Sequence, residues 1–317
     1  MKQLTSILIA ICSSFYMRQK FLSRFKVGLT IFILIFLVSC YKEDDYPSPI
    51  NYIIEGPQDQ FPAFSPDGEH IAYYHFAWGN SGDYPTGLYI IDKNGGNRKL
   101  VLRGDHFSPS WSPDGQWLVF SSGGVIQKCK INGDSLTTFS GLNYLDNPEF
   151  YFPDWSSDGK YILFDKPLGD KRGLYFMTPK FQNSDIIFGI NITSGRDPEL
   201  SPAGDVFIYY DWMDGKTPSE IFKQDTDDKI KIRLTNNERD DRAPTWSPDG
   251  QMIAWSSSLR LCVMDADGTN QQEIAYGNDP SWSVNDEIVF SHANADYSKE
   301  VLYIVNPDGT NQRQITF

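Results

Sequence analysis

Histidine and cysteine are scarce in this chain, four of each in 317 residues. No Cys-x-x-Cys pair and no Cys/His spacing of a structural metal site is present, which argues against a metal-stapled fold. Basic residues are outnumbered, 28 against 41 acidic ones, for a formal net charge of −13. A field of that sign repels nucleic acid and anionic headgroups and argues against a DNA or RNA role. No Gly-x-Ser-x-Gly elbow is found, so a hydrolase built on that elbow is disfavoured. The glycine-rich "SSGG" at 121–124 has no Lys-Ser/Thr in phosphate-loop spacing. No apolar run reaches the roughly 20 residues of a membrane-spanning helix. The longest, "VGLTIFILIFLVS" at 27–39, has 13. What is abundant is aromatic residues (15%), with 25 glycines and 19 prolines. That composition favours short strands and turns over long helices.

The front of the chain differs from the rest. "RQKFLSRFK" (18–26) carries four basic residues and precedes the apolar run, which has the length of a secretory signal's core. The run ends in "LVSC" (37–40), which resembles the lipobox of bacterial lipoproteins. The resemblance implies cleavage before Cys40 and a lipid on Cys40. A start at Met17 gives this signal ordinary proportions. "YKEDDY" (41–46) resembles the surface-export signal of Bacteroidota-type lipoproteins and also reads as an acidic, solvated tether. The expected organisation is thus a signal peptide over 1–39, a lipidated cysteine and tether over 40–56, and a folded domain over 57–317. Residues 1–39 hold five basic residues and no acidic one, so the mature chain carries 23 against 41, a balance of −18.

The folded part repeats itself. Six segments align on the serine of a turn, at Ser65, Ser112, Ser156, Ser201, Ser247 and Ser283, with spacings of 47, 44, 45, 46 and 36. The best copies read "WSPDG" (111–115 and 246–250). Proline presets φ for a type I turn, and aspartate and glycine suit the positions that follow. Proline also stands three residues before every turn serine, at Pro62, Pro109, Pro153, Pro198, Pro244 and Pro280. The residue before the serine is always apolar (Phe64, Trp111, Trp155, Leu200, Trp246, Trp282) and suits a wedge between sheets. Strand signals and Asn-Gly or Asp-Gly hairpins follow each turn. Each repeat reads as four antiparallel strands, a to d, and a period near 45 is that of one propeller blade. The expected fold is all-β, a six-bladed β-propeller of four-stranded antiparallel blades. Cys129 and Cys262 lie about three repeats apart and read as buried thiols, too distant for a disulfide.

The six turns resemble those of the TolB-like propellers, whose WD-like repeats carry the same Trp-Ser-Pro-Asp-Gly turn. The resemblance covers about 55–317. It departs at "LSPAG" in repeat 4 and "WSVND" in repeat 6, where weaker turns are expected. TolB also carries an N-terminal α/β domain, for which the 41–56 stretch leaves no room, so no TolB partner is carried over.

In this strand order the d-to-a connections and b-to-c loops share one face, the expected ligand mouth, opposite the Ser-Pro-Asp-Gly turns. The candidate binding residues there are His75, Asp165, Lys166, Asp211 and His292 from the ends of strand b, with His106, Arg196, Asp197, Arg242 and Asp279 from the connections. Two readings follow. One is a non-catalytic module, without cofactor, that binds an envelope protein or a glycan and is held at the outer membrane by its lipid. The other resembles the oligogalacturonate lyases, propellers of this repeat type with a histidine-bound metal. That resemblance implies a Mn, Fe or Zn site on His75, His106 and His292. Two aromatics of the loop 75–87, Trp78 and Tyr84, suit stacking on a ligand or packing back on the blade. The turn aspartates Asp67, Asp114, Asp158 and Asp249 are expected to fix backbone geometry.

Overall fold

The computed structural model describes residue 54 and residues 56–77, 84–139, 151–168, 171–181, 186–190, 195–213, 218–226 and 230–317. The expected signal peptide, Met17, Cys40 and nearly all of the tether lie outside the described residues, as does Trp78.

Every repeat supplies four strands. Repeat 1 forms β1 (Gln58–Phe64), β2 (His70–Phe76), β3 (Gly87–Asp92) and β4 (Lys99–Arg103), and repeat 2 forms β5 (Phe107–Trp111), β6 (Trp117–Ser122), β7 (Val125–Lys130) and β8 (Thr137–Thr138). Repeat 3 gives β9 (Tyr151–Trp155), β10 (Ile162–Leu168), β11 (Lys171–Met177) and β12 (Ile186–Ile190). Repeat 4 gives β13 (Arg196–Leu200), β14 (Val206–Trp212), β15 (Ser219–Asp225) and β16 (Lys231–Arg233). β17 (Asp241–Trp246), β18 (Met252–Ser257), β19 (Arg260–Asp265) and β20 (Gln272–Tyr276) come from repeat 5. The last repeat forms β21 (Asn278–Trp282), β22 (Ile288–Ala293), β23 (Glu300–Val305) and β24 (Arg313–Gln314). No helix among the described residues is long and apolar enough to cross a membrane.

The sheets differ from the six separate ones expected. Repeats 2, 3, 4 and 5 each make a four-stranded sheet, but the strands of repeats 1 and 6 are hydrogen-bonded into a single eight-stranded sheet. The cause is local. β1 enters parallel to β23 and pairs with it at Gln58 and Glu300, and the Gln60 side-chain amide donates to Glu300 Oε2 at 2.5 Å.

Six buried clusters hold the sheets together, and each spans two successive repeats. Ile71, Tyr73 and Tyr89 of repeat 1 pack on Val289, Leu302 and Ile304 of repeat 6, so the contact runs from the last repeat back to the first. The expected wedges occupy these junctions: Phe64, Trp111, Leu200, Trp246 and Trp282 are buried members of the clusters, and Trp155 packs against one. Five of the clusters fill the space between two facing sheets, as in a sandwich, and the one shared by repeats 1 and 6 packs the two halves of the eight-stranded sheet on each other. Cys129 and Cys262 are free and buried, as expected, and burial pushes both thiols up to about 12.

The turns show why the motif recurs. In repeat 5 the Ser247 hydroxyl donates to Asp249 at 2.7 Å and accepts the Met252 N–H at 2.9 Å, while the Gln251 N–H donates to the same aspartate at 3.0 Å. Repeats 1, 2 and 3 repeat this arrangement around Asp67, Asp114 and Asp158. The hydrogen bonds lower the carboxyl pKa of Asp67, Asp114 and Asp249. The two departures use other carboxylates. In repeat 4 Asp205, two residues on from Ala203, takes the Ser201 hydroxyl at 2.9 Å. In repeat 6 the Trp282 indole N–H donates to Asp286 at 3.0 Å.

The second hairpin of a repeat presses on its neighbour. Gly133 has φ +87, and a Cβ there would stand 2.6 Å from the Val101 carbonyl oxygen of repeat 1. Gly115, at φ +66, has nothing within 4 Å of that position. Gly133→Ala is therefore expected to cost about 2–4 kcal/mol and Gly115→Ala about 1–2 kcal/mol. Denaturant unfolding of the two variants checks this, and equal losses would show that the contact between repeats is not the tight one described.

Candidate functional site: an acidic central channel

The innermost strand of each repeat contains the motif that shapes the channel. The residue before the recurrent proline has positive φ in all six copies: Phe61, Ser108, Phe152, Asp197, Ala243 and Asp279, between 49° and 54°. The a–b ladder shifts register at this point in every repeat. Proline has no N–H to give the ladder, so a bulge is where a strand accommodates it. Left-handed non-glycine residues cost roughly 1–2 kcal/mol each, and such strain persists only where surrounding structure enforces it.

These strands enclose a cavity of about 440 Å³, lined by strand-a residues of all six repeats. Its lining includes turn residues such as Pro66, Pro113, Pro202 and Pro248. The channel thus reaches the turn face, whereas the sequence placed the ligand mouth on the opposite face. A larger cavity of about 760 Å³ lies between repeats 1 and 2, but its carboxylates Asp67, Asp92 and Asp114 are already bound within turns.

Among the described residues four carboxylic acids line the channel, Asp154, Asp197, Glu199 and Asp279, and no lysine or arginine does. Asp154 accepts the Ser110 hydroxyl at 3.1 Å and the Leu200 N–H. Glu199 accepts the Trp246 N–H at 3.0 Å and the Thr245 hydroxyl. Asp279 accepts the Phe61 N–H. Withdrawal from water raises all four pKa values, Asp154 to about 6 and Asp279 to about 7. Mutual repulsion adds to this, from Glu300 on Asp279, from Asp279, Asp165 and Asp154 on Asp197, and from Asp154 on Glu199. The arrangement is a ring of carboxylates that gains from any cation entering it.

The sequence-predicted site residues divide. Asp197 and Asp279 line the channel, and the fully buried Asp165 lies close enough to Asp197 to raise its pKa. Arg196 stands opposite Tyr210 in the β13–β14 ladder, and Arg242 lies within electrostatic reach of the same tyrosine. The others are engaged elsewhere. His75 is buried with its Nδ1 2.6 Å from Asp59, and Arg98 approaches the same carboxylate at 3.1 Å. His106 Nε2 lies 3.0 Å from the Arg103 carbonyl, and its ring packs on Phe120. His292 stacks on Tyr276, 6.4 Å between centroids. Burial lowers the pKa of His106 and of His292. The three histidines thus have separate partners, and no group of three or more His, Cys, Asp or Glu among the described residues is spaced to hold a metal. Asp211 is buried in an ion pair with Lys231, and Lys166 is half-buried on β10. Tyr84 folds back on the blade, its ring centroid 4.1 Å from Arg98 Cζ.

Asp154 and Glu199 were missed by sequence reasoning. Both occupy the position just before the wedge residue, where the six copies read Ala63, Ser110, Asp154, Glu199, Thr245 and Ser281. Five polar residues at the position just before an apolar wedge were the available signal.

Sheets joined side by side around a channel define a β-propeller. The sequence profile of the TolB beta propeller domain matches residues 59–285, and the chain belongs to that family. It is 29% identical to an uncharacterized protein of Agrobacterium fabrum over 209 residues, 60% of this chain and 66% of that one. It is 28% identical over 239 residues to the Tol-Pal system protein TolB of Francisella tularensis, 70% of this chain and 53% of TolB. The chain thus spans about half the length of these TolB relatives. The crystal structure of TolB from Acinetobacter baumannii superposes with a TM-score of 0.59 at 21% identity, over 82% of this chain and 63% of that one, a likeness of fold.

The raised carboxyls make stability depend on pH. A carboxyl whose folded pKa is about 7, against about 3.9 unfolded, stabilises the fold at acid pH. That contribution is lost as pH rises from about 4 to about 7. Asp279→Asn keeps the acceptor for the Phe61 N–H and removes the charge. It is expected to raise Tm by roughly 2–4 °C at pH 8, allowing for screening by channel water, and to give no gain at pH 4. Calorimetric scans at both pH values decide; an equal shift at both would contradict a buried ionised carboxylate.

Proposed function

We propose that this protein is a lipid-anchored propeller of the bacterial envelope that binds a protein partner by taking a basic segment into its channel. In this reading the eight-stranded sheet counts as the first and last of six blades. The observation that carries it is the channel wall, which among the described residues has four carboxylic acids and no lysine or arginine. A low-dielectric channel lined by one sign of charge focuses its field and draws in the opposite charge. The propeller supplies a rigid ring, so the site needs no rearrangement to present its acids. The Francisella relatives belong to the Tol-Pal system, and a protein ligand in the envelope fits that kinship. The lipid on Cys40 would tether the domain at the outer membrane, facing the periplasm or the surface. We read the role as non-catalytic, with the Ser110 and Thr245 hydroxyls that meet the channel's acids serving as joints between repeats.

A blocked pentalysine peptide is the probe. Calorimetric titration should show binding at low salt that weakens roughly tenfold or more as salt is raised. Binding a cation favours the ionised carboxyls, so protons should be released between pH 6 and 7 and affinity should rise with pH across that window. Glu199→Gln with Asp279→Asn should abolish most of the binding. Undiminished binding in that double variant, or none in the native protein, would overturn the channel as the site. Incorporation of a labelled fatty acid into the native precursor, lost in Cys40→Ala, tests the anchor separately.

A further inference from the structure

On the face opposite the turns, repeats 4 and 5 share a feature that the channel does not use. Arg196 and Arg242 occupy the same position, five residues before the turn serine, in adjacent repeats. The other four repeats have Gln60, Phe107, Tyr151 and Asn278 there. The Arg196 guanidinium lies over the Trp212 ring, 5.0 Å from its centroid, and its Nε is buried without a hydrogen-bond partner. Among the described residues no carboxylate forms an ion pair with Arg196. Arg242 is half-exposed, with Nη2 3.3 Å from Asp240 and Nε 3.5 Å from the Ser219 hydroxyl. Tyr210 stands opposite Arg196 in the β13–β14 ladder and packs edge-on against Trp212, 5.4 Å between centroids. Burial chiefly raises the Tyr210 pKa, to about 12, with Asp197 and Asp165 adding to the rise and both arginines opposing it, so both guanidinium groups lie within electrostatic reach of its hydroxyl. Met213, beside Trp212, is 48% exposed.

In a chain with 41 acidic and 28 basic residues, a half-buried guanidinium with no carboxylate partner needs a reason, since an unpaired charge withdrawn from water is costly. The planar guanidinium fork matches a carboxylate. Arginine, tryptophan, tyrosine and methionine are also the residues enriched at the centres of protein interfaces. We propose that Arg196 and Arg242, with Tyr210 and Trp212, form a docking seat for an acidic side chain of a protein partner. The inference rests on reading the chain as a protein-binding module, but it concerns other residues and the opposite charge from the channel, so the two fail separately.

The probes are a blocked triglutamate peptide, its triglutamine analogue and trigalacturonate, titrated at low salt and followed by Trp212 fluorescence against a Trp212→Phe blank. The acidic peptide should bind at least fivefold more tightly than the glutamine analogue. Arg196→Gln and Arg242→Gln should each weaken it at least fivefold, Arg196→Lys should give an intermediate loss, and Arg103→Gln, an exposed arginine of repeat 1, should change nothing. The Arg242→Gln variant guards against misfolding at the more buried Arg196, and unchanged thermal unfolding confirms it. Equal binding of the glutamate and glutamine peptides, no effect of either glutamine substitution, or binding of trigalacturonate in place of the peptide would overturn the proposal, the last by assigning the seat to an acidic glycan.

Discussion

The structure depends on satisfying the innermost strand of each repeat. Outside repeat 1, where β1 also pairs with β23, strand a is an edge strand paired on one side only, and its free N–H groups face the channel or the neighbouring repeat. Each junction meets this demand with a bond from the next repeat. The Trp111 indole donates to the Ala63 carbonyl, Trp155 N–H to Ser110, Leu200 N–H to Asp154 and Trp246 N–H to Glu199. Asp279 N–H then donates to Ser256, and Phe64 N–H to Ser281, which returns the circuit to repeat 1. The apolar wedges pack at the same six junctions, so burial and hydrogen bonding reinforce one another.

The same solution gives the channel its character. Where the acceptor at a junction is a serine, the joint is neutral. In repeats 3 and 4 it is a carboxylate, and Asp279 adds another. The acids that help join repeats are therefore also a binding surface, and their raised pKa values record the cost of crowding them. Structural and functional constraints meet on the same side chains, which ties stability to pH and, under the proposed function, to occupancy of the channel. The proposed arginine seat on the other face adds the opposite charge, so under the proposed function the two faces of the ring suit different parts of a partner.

Much of the fold was legible because its signals are local. Ser-Pro-Asp-Gly encodes a turn within a few residues, and the repeat of near 45 residues encodes the number of strands between turns. The wedge residues could be read because each one heads a turn. The fate of the histidines was not legible. His75, His106 and His292 share a face by strand count, but side-chain direction gave each a different neighbour: Asp59 and Arg98, Phe120, and Tyr276. Asp154 and Glu199 were overlooked because an acid next to a large apolar residue in a strand (Trp155, Leu200) looks like a solvent-facing residue, and only closure of the ring turns that side toward the axis.

The sequence by itself determined the all-β repeat, the turns, the junction wedges and the excess of negative charge, because these follow from spacing, φ preference and composition. Tertiary structure alone decided that the entry strand fuses the first and last repeats into one sheet, that the channel reaches the turn face, and that acids far apart in the chain converge on one axis. The reason is geometric: local chemistry sets the shape of each repeat, while the distance between Asp154, Glu199 and Asp279 depends on how the repeats are arranged around a common centre.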